Sequence, residues 1–234
     1  MKGYINSFQS LGASDGPGLR YVVFMQGCPL RCGVCHNPDT WQTVTGSQYT
    51  ADEITNTVLR YKEYFGKDGG ITVSGGEPLI QSDFVTELFQ KCKSQGINNC
   101  LDTSGCILND KVKALLEQTD LILLDIKYTT EQDYQNYVGC SLKAPLEFLD
   151  YTDSISKPVW LRQVIVPTLN DNADSLTKLK DIANNHANVK RVELLPFRKI
   201  CKTKYDNMGI EFEFDKYNSP TSSYTQELYD KFIK

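Results

Sequence analysis

The chain has 234 residues, enough for one well-buried domain and short for two. Its 25 Lys and Arg stand against 29 Asp and Glu, a net charge of −4, without the concentrated basic surface that nucleic-acid binding requires. Neither a signal peptide nor an apolar run of membrane-spanning length is present, so a cytoplasmic protein that engages neither nucleic acid nor membrane is expected.

The opening MKGYINSFQSLG is polar and ordinary, and no strand is expected there. The first strand is expected at RYVVFMQG (20–27), a short apolar, β-branched run ending in Gly. Similar runs follow at GITVSGG (70–76), NNCLDTSG (98–105), DLILLDIK (120–127), KPVWLRQVIVP (157–167) and KRVELLPF (190–197). Amphipathic segments separate them. One, over 51–65, follows Thr50 as N-cap; another, over 82–96, runs from an N-cap Ser82 to a C-cap Gly96. Further helices are expected in NDKVKALLEQT, APLEFLDYTDSIS and NADSLTKLKDIANNH, and at the C-terminus over 221–233. No linker or repeat interrupts the alternation. The expected fold is α/β, a single domain over 1–234 built as a partial (β/α)6 TIM-like barrel on a parallel sheet.

The unusual residues follow a rule. A cysteine-rich loop follows strand one, SGGEP (74–78) ends strand two and DTSG (102–105) ends strand three. DIK (125–127), VIVP (164–167) and LLPFRK (194–199) end the next three. In (β/α) barrels the carboxyl ends of the strands carry the active site. Taken alone, SGGEP would pass as turn punctuation.

Of eight cysteines, five are scattered singly among apolar residues, where free Cys serves as a small core side chain. Cys28, Cys32 and Cys35 form the one cluster, spaced Cys-x3-Cys-x2-Cys in the loop 28–35. Without a secretory signal a disulfide framework is not expected. One possibility is a structural zinc with His36 as fourth ligand, although such sites usually split their ligands into two spaced pairs. The other is an iron–sulfur cluster held by three thiolates, with one iron left open for something that binds and reacts.

At this point the sequence resembles the radical S-adenosylmethionine (SAM) superfamily, and within it the activases of glycyl-radical enzymes. The resemblance is carried by SDGPGLRYVVFMQGCPLRCGVCHNPDTW (14–41), TVSGGEPL (72–79), CLDTSG (100–105) and LLDIK (123–127). VELLPFRK (192–199) and KYDNMG (204–209) extend it over nearly the whole chain. It implies a [4Fe–4S] cluster on Cys28, Cys32 and Cys35, with SAM chelated at the open iron. One electron then splits SAM, and the 5′-deoxyadenosyl radical takes a hydrogen atom from a glycine Cα of the client. It also implies SAM contacts from Val34, Cys35, His36, Asn37, Gly75, Gly76, Glu77, Asp102, Asp125, Ile126 and Lys127. Gly75 and Gly76 would allow close backbone approach, and Lys127 suits the SAM carboxylate as a point cation. A monovalent cation (Na+ or K+) is implied at Asp102, Thr103, Asp125 and the Leu123 carbonyl, although an Asp–Lys ion pair would also explain the two strand ends. Asp15, in DGPG, is implied to touch the client's glycine loop, although Asp-Gly-Pro-Gly is also ordinary turn chemistry.

The implied partners are a glycyl-radical enzyme, pyruvate formate-lyase foremost, and a flavodoxin or ferredoxin-type electron donor, with the activase itself a monomer. Clients such as a diol dehydratase, a decarboxylase or anaerobic ribonucleotide reductase are the alternative. No further Cys-x2-Cys cluster lies between Trp41 and Ile71, so auxiliary clusters are not expected. Two departures stand out. Arg198 occupies the place of a family His that reaches the adenosyl part of SAM, and Val34 replaces a frequent aromatic.

Overall fold

The structure, a computed structural model, describes residues 1–234. The strands and helices run β1 (Lys2–Gly12), β2 (Arg20–Met25), β3 (Ser47–Thr50), α1 (Ala51–Leu59), β4 (Gly70–Gly75), α2 (Ser82–Ser94), β5 (Asn98–Thr103) and α3 (Asp110–Gln118). They continue as β6 (Leu121–Asp125), α4 (Glu131–Tyr137), α5 (Lys143–Ser154), β7 (Val159–Ile165), α6 (Ala173–Asn184), β8 (Val189–Pro196), α7 (Lys202–Met208) and α8 (Ser222–Leu228). The strands form one eight-stranded sheet in the order β3-β1-β2-β4-β5-β6-β7-β8, with free edges at β3 and β8. The six expected strands are β2 and β4 to β8, and the sheet they belong to is open rather than closed. Contacts divide the chain into two compact units: Met1–Pro29 with Thr40–Leu123, and Leu30–Asp39 with Leu124–Lys234. No helix is long and apolar enough to cross a membrane.

In the first unit β2, β4 and β5 pair in parallel, Val23 opposite Val73 and Val73 opposite Leu101. All three side chains are fully buried, as a parallel sheet covered on both faces requires. The N-terminus corrects the sequence reading: it is an eleven-residue strand, antiparallel to both β2 and β3. Register shifts between Ile5 and Ser7 and between Gln9 and Gly12 break its period of two, which is the signal that reveals a strand. At the amino end of β2, Arg20 is fully buried. Its donors are taken by the Thr72 hydroxyl at 3.0 Å, the Asn98 side chain at 2.9 Å and the carbonyls of Ile71, Asp68 and Asn98. A buried guanidinium is tolerable only when its hydrogen bonds are met, and here they tie the starts of three strands together.

The helix caps are partly as expected. Thr50 accepts from the Glu53 N–H at 3.2 Å while the Glu53 carboxylate accepts from the Thr50 N–H at 2.7 Å, a reciprocal capping box. Ser82, expected as a cap, lies inside α2, because the 3-10 turn Pro78–Gln81 supplies the helix entry instead. Gly96, at φ +68°, ends α2 in the left-handed conformation that favours glycine.

In the second unit β7 and β8 pair in parallel, and Ile165, Leu176 and Leu228 form a core against Leu194, Tyr224 and Phe232. Helix α8 is capped by Thr221, whose hydroxyl accepts from the Tyr224 N–H at 3.1 Å. The chain then continues as a π-helical segment, Tyr229–Ile233.

Candidate active site

In the first unit the SGGEP turn packs against the chain that leads into Cys28. The Gly76 N–H donates to the Met25 carbonyl at 3.0 Å and the Glu77 N–H to the Gly27 carbonyl at 2.8 Å. A Cβ on Gly75 would be driven into the backbone of Met25, and one on Gly76 into the carbonyl oxygen of Gly27. Gly75 also sits at φ +106°. These glycines are therefore required by backbone against backbone, before any ligand is considered. On the other side, Gly27 and Cys28 donate to the carbonyls of Thr40 and Trp41 at 2.7 and 3.5 Å.

Glu77, expected at the cofactor, is only 2 % exposed. One carboxylate oxygen accepts from the Leu79 N–H at 3.2 Å and the Thr103 hydroxyl at 2.6 Å. The other accepts from the Ser104 N–H at 3.0 Å and from the Ser104 hydroxyl. Its carboxylate locks the turn after β4 to the turn after β5. Thr103 is committed in the same bracket and also accepts from the Gly105 N–H at 3.1 Å. Asp102 accepts from the Ser74 hydroxyl at 2.7 Å. Leu123 is a core residue of β6.

Asp15 lies before β2. Its carbonyl accepts from the Thr72 hydroxyl at 2.7 Å. That is the level of the Val22–Thr72 pair, two residues short of the Phe24–Ser74 pair where SGGEP begins.

The loop Leu30–Asp39 belongs to the second unit and is held by contacts within it. The Arg31 and Gly33 N–H groups donate to the carbonyls of Val138 and Tyr137 at 3.1 and 2.8 Å, at the end of α4. Gly33 has no room for a Cβ, because the Phe214 ring lies on it. From α7, the Tyr205 hydroxyl donates to the Cys35 carbonyl at 3.3 Å. The Lys204 ammonium donates to the side chains of Asn37 and Asp39, each at 2.9 Å. His36 Nε2 donates to the Arg198 carbonyl at 2.9 Å. Burial, with Lys127 and Lys204 nearby, lowers the His36 pKa against the pull of that carbonyl, so the ring is neutral at pH 7 and offers only Nδ1 to any ligand. Val34 is buried, so no side-chain stack is available there.

The Arg198 guanidinium turns away from the loop, donating to the Pro220 carbonyl at 3.3 Å and the Ser222 hydroxyl at 3.2 Å. It ties the β8 exit to the start of α8. Arg198→Ala is accordingly expected to change SAM affinity by less than about twofold and to cost roughly 1 kcal/mol of stability. Equilibrium dialysis and urea denaturation check this; a tenfold loss of affinity would return Arg198 to the cofactor.

At the end of β6 the Lys127 ammonium lies 2.9 Å from Asp125. Burial alone would raise the Asp125 pKa, but Lys127 and then Arg162 outweigh it and hold the carboxyl below its ordinary range. Burial likewise opposes the Lys127 charge, while Asp125 and Cys32 hold its pKa well above the usual value. The ion pair weighed from the sequence is thus present, and a ligand at this strand end meets it already formed. Ile126 is fully buried, its N–H donating to the Arg162 carbonyl and its carbonyl accepting from Gln163, both at 3.0 Å. It braces the strand end through its backbone.

No three His, Cys, Asp or Glu side chains are gathered in a group that would hold a metal ion. The fit of a cluster therefore rests on the chemistry of the donors. Cys28, Cys32 and Cys35 are half-buried thiols, none of them in a disulfide, on one loop whose backbone is fixed by its neighbours. Cys32 also acts electrostatically on the Lys127 ammonium. Accessible thiols beside a cation are what thiolate ligation needs. By contrast Cys92, Cys100 and Cys201 are sealed in the core, and burial pushes the Cys92 thiol up to about 12. The donor set fits an iron–sulfur cluster.

Sequence reasoning missed the anchors of the loop: Tyr137, Phe214, Lys204 and Tyr205. The last two lie in KYDNMG, a stretch that carries the family resemblance without announcing a role.

The family profile described as a 4Fe-4S single cluster domain matches residues 14–142. The pyruvate formate-lyase-activating enzyme of Staphylococcus epidermidis is 40% identical over 237 residues, covering 98% of this chain and 94% of its own. The pyruvate formate-lyase 1-activating enzyme of Escherichia coli K12 is 40% identical over 221 residues, covering 93% and 90%. Among solved structures, Streptococcus suis SuiB bound to S-adenosylmethionine shares the fold at TM-score 0.66 and 14% identity, over 87% of this chain and 44% of its own. With relatives this similar along almost its entire length, the chain belongs to the pyruvate formate-lyase-activating enzyme family.

Proposed function

We propose that the chain is a SAM-dependent oxidoreductase that cleaves SAM reductively and takes a hydrogen atom from a glycine Cα of a glycyl-radical enzyme. The client its relatives name is pyruvate formate-lyase, and a flavodoxin or ferredoxin-type protein would deliver the electron. The products are methionine, 5′-deoxyadenosine and a glycyl radical on the client, with one electron consumed for each SAM. The observation that carries the reading is the loop with three half-buried cysteines outside any disulfide, Cys28, Cys32 and Cys35, inside the matched single-cluster domain.

When bound, a [4Fe–4S] cluster supplies the electron that splits the sulfonium bond. The protein's own residues do the rest. Backbone bonds at Arg31, Gly33 and Cys35 hold the ligand loop, so its shape does not depend on the thiols. The Glu77 bracket and the two glycines hold the SGGEP turn, whose backbone is the surface offered to SAM. Lys127 carries a firmly held positive charge that suits the SAM carboxylate. Asp15 would meet the client's glycine loop. Anaerobic incubation with SAM, a reductant and pyruvate formate-lyase should give a glycyl radical signal in electron paramagnetic resonance; no signal, while SAM is still cleaved, would point to a different client.

Asp102, Thr103, Asp125 and the Leu123 carbonyl would share a monovalent cation beside the SAM carboxylate. Hard oxygen donors suit such an ion. Asp125→Ala is then expected to weaken SAM binding at least about tenfold, a loss of roughly 1.4 kcal/mol, with the iron content unchanged. SAM titrations in potassium, sodium or a bulky organic cation check the site. Equal affinity in all three would leave Asp125 as the partner of Lys127 and nothing more.

A further inference from the structure

We propose that the Tyr128 hydroxyl is a positioning group for the iron–sulfur cluster, donating a hydrogen bond to sulfur at the Cys32 corner once the cluster is bound. The inference rests on the cluster reading above and adds a residue that the cysteine motif does not contain.

Tyr128 follows Lys127 where the chain leaves β6, and it is 2 % exposed. Its hydroxyl oxygen is buried and has no hydrogen-bond partner. Leaving a buried hydroxyl unmet costs on the order of 1–3 kcal/mol, a penalty that phenylalanine would avoid by losing one atom. A polar atom kept there suggests a partner that arrives later.

The surroundings say which partner. The Tyr128 ring packs against Tyr137, centroids 5.2 Å apart. The Tyr137 carbonyl accepts the Gly33 N–H, and its ring meets Phe214 edge-on at 5.7 Å. Phe214 in turn covers Gly33. The aromatic group that carries the phenol therefore packs against Gly33, inside the Cys32–Cys35 interval. Burial raises the Tyr128 pKa, and among its neighbours Cys32 adds most to that rise. The phenol keeps its proton and can act as a donor, and sulfur with its lone pairs is the acceptor that cluster assembly brings. Hydrogen bonds to cluster sulfurs stabilise the reduced, more negative state and raise the reduction potential.

Tyr128→Phe in the full chain tests this. The metal-free variant should be as stable as the wild type or more so, because it loses an unmet hydroxyl. The reconstituted variant should hold its full iron, and its reduced-to-oxidised ratio at a fixed potential should fall about tenfold, which is about 59 mV for one electron. Its iron–sulfur stretching bands should shift in resonance Raman spectra. An unchanged potential and unchanged bands at full iron would overturn the inference while leaving the cluster in place. A metal-free variant that is markedly less stable would overturn it too, by showing the hydroxyl already partnered without the cluster. A wild-type protein that takes up no iron would instead remove the cluster reading itself.

Discussion

Cys32→Ala is expected to abolish 5′-deoxyadenosine formation and to leave the protein without its cluster, against about four irons per chain in the anaerobically reconstituted wild type. The loop should nevertheless stay folded. What holds it are backbone bonds, from Arg31 and Gly33 to the end of α4 and from the Cys35 N–H to the Cys32 carbonyl at 3.0 Å, and alanine keeps all of them. Thermal unfolding of the metal-free variant should therefore match the metal-free wild type. That separates loss of a ligand from loss of a fold. Cys92→Ala is the control: its thiol is sealed between α1 and α2, touches the Thr55 hydroxyl at 3.9 Å and stays protonated. That variant should retain both iron and SAM cleavage. Normal SAM cleavage by Cys32→Ala would show that the ligands lie elsewhere.

Glu77→Gln is expected to be nearly as damaging, by a different route. Four donors converge on this buried carboxylate, two of them backbone N–H groups that cannot turn away. An amide supplies one accepting oxygen and places an NH2 group against donors on the other side. At least one buried N–H is left unmet, and the hydrogen bonds that remain lose their charge. Each such loss is worth about 1–3 kcal/mol, so a fall of roughly 2–4 kcal/mol in unfolding free energy is expected. Because the bracket fixes the SGGEP turn, SAM affinity should fall as well. Urea denaturation of the metal-free protein measures the first effect and equilibrium dialysis of the reconstituted protein the second. A variant with weak SAM binding and wild-type stability would move Glu77 from bracket to ligand.

These two residues mark where the sequence was legible. Cys28, Cys32 and Cys35 could be picked out because their spacing is local and their chemistry narrow. The strand ends could also be placed, since apolar β-branched runs stopped by Gly or Pro need no knowledge of tertiary structure. SGGEP stood out too, but for a different reason from the one that holds. The glycines make room for Met25 and Gly27, and Glu77 reaches across to Thr103 and Ser104, 26 and 27 residues on. Such partners are set by strand order, which no local pattern reveals. The same distance in sequence hid Lys204 and Tyr205, which grip a loop some 170 positions earlier. Arg198 shows the converse. Its place in the motif pointed at the cofactor, while its side chain is spent on Pro220 and Ser222. Strand β1 was hidden by its own bulges, which scramble the alternation that would have exposed it.

Isotope transfer reads out whether a glycine Cα gives up its hydrogen to a fragment of SAM. The reconstituted protein would be incubated with SAM, a reductant and a short peptide copying the glycine loop of pyruvate formate-lyase, deuterated at the glycine Cα. The expected product is 5′-deoxyadenosine carrying deuterium at its 5′ carbon, with transfer reduced in Asp15→Ala while SAM cleavage without peptide persists. Unlabelled 5′-deoxyadenosine from the deuterated peptide, together with label transfer from a small metabolite, would contradict transfer from glycine.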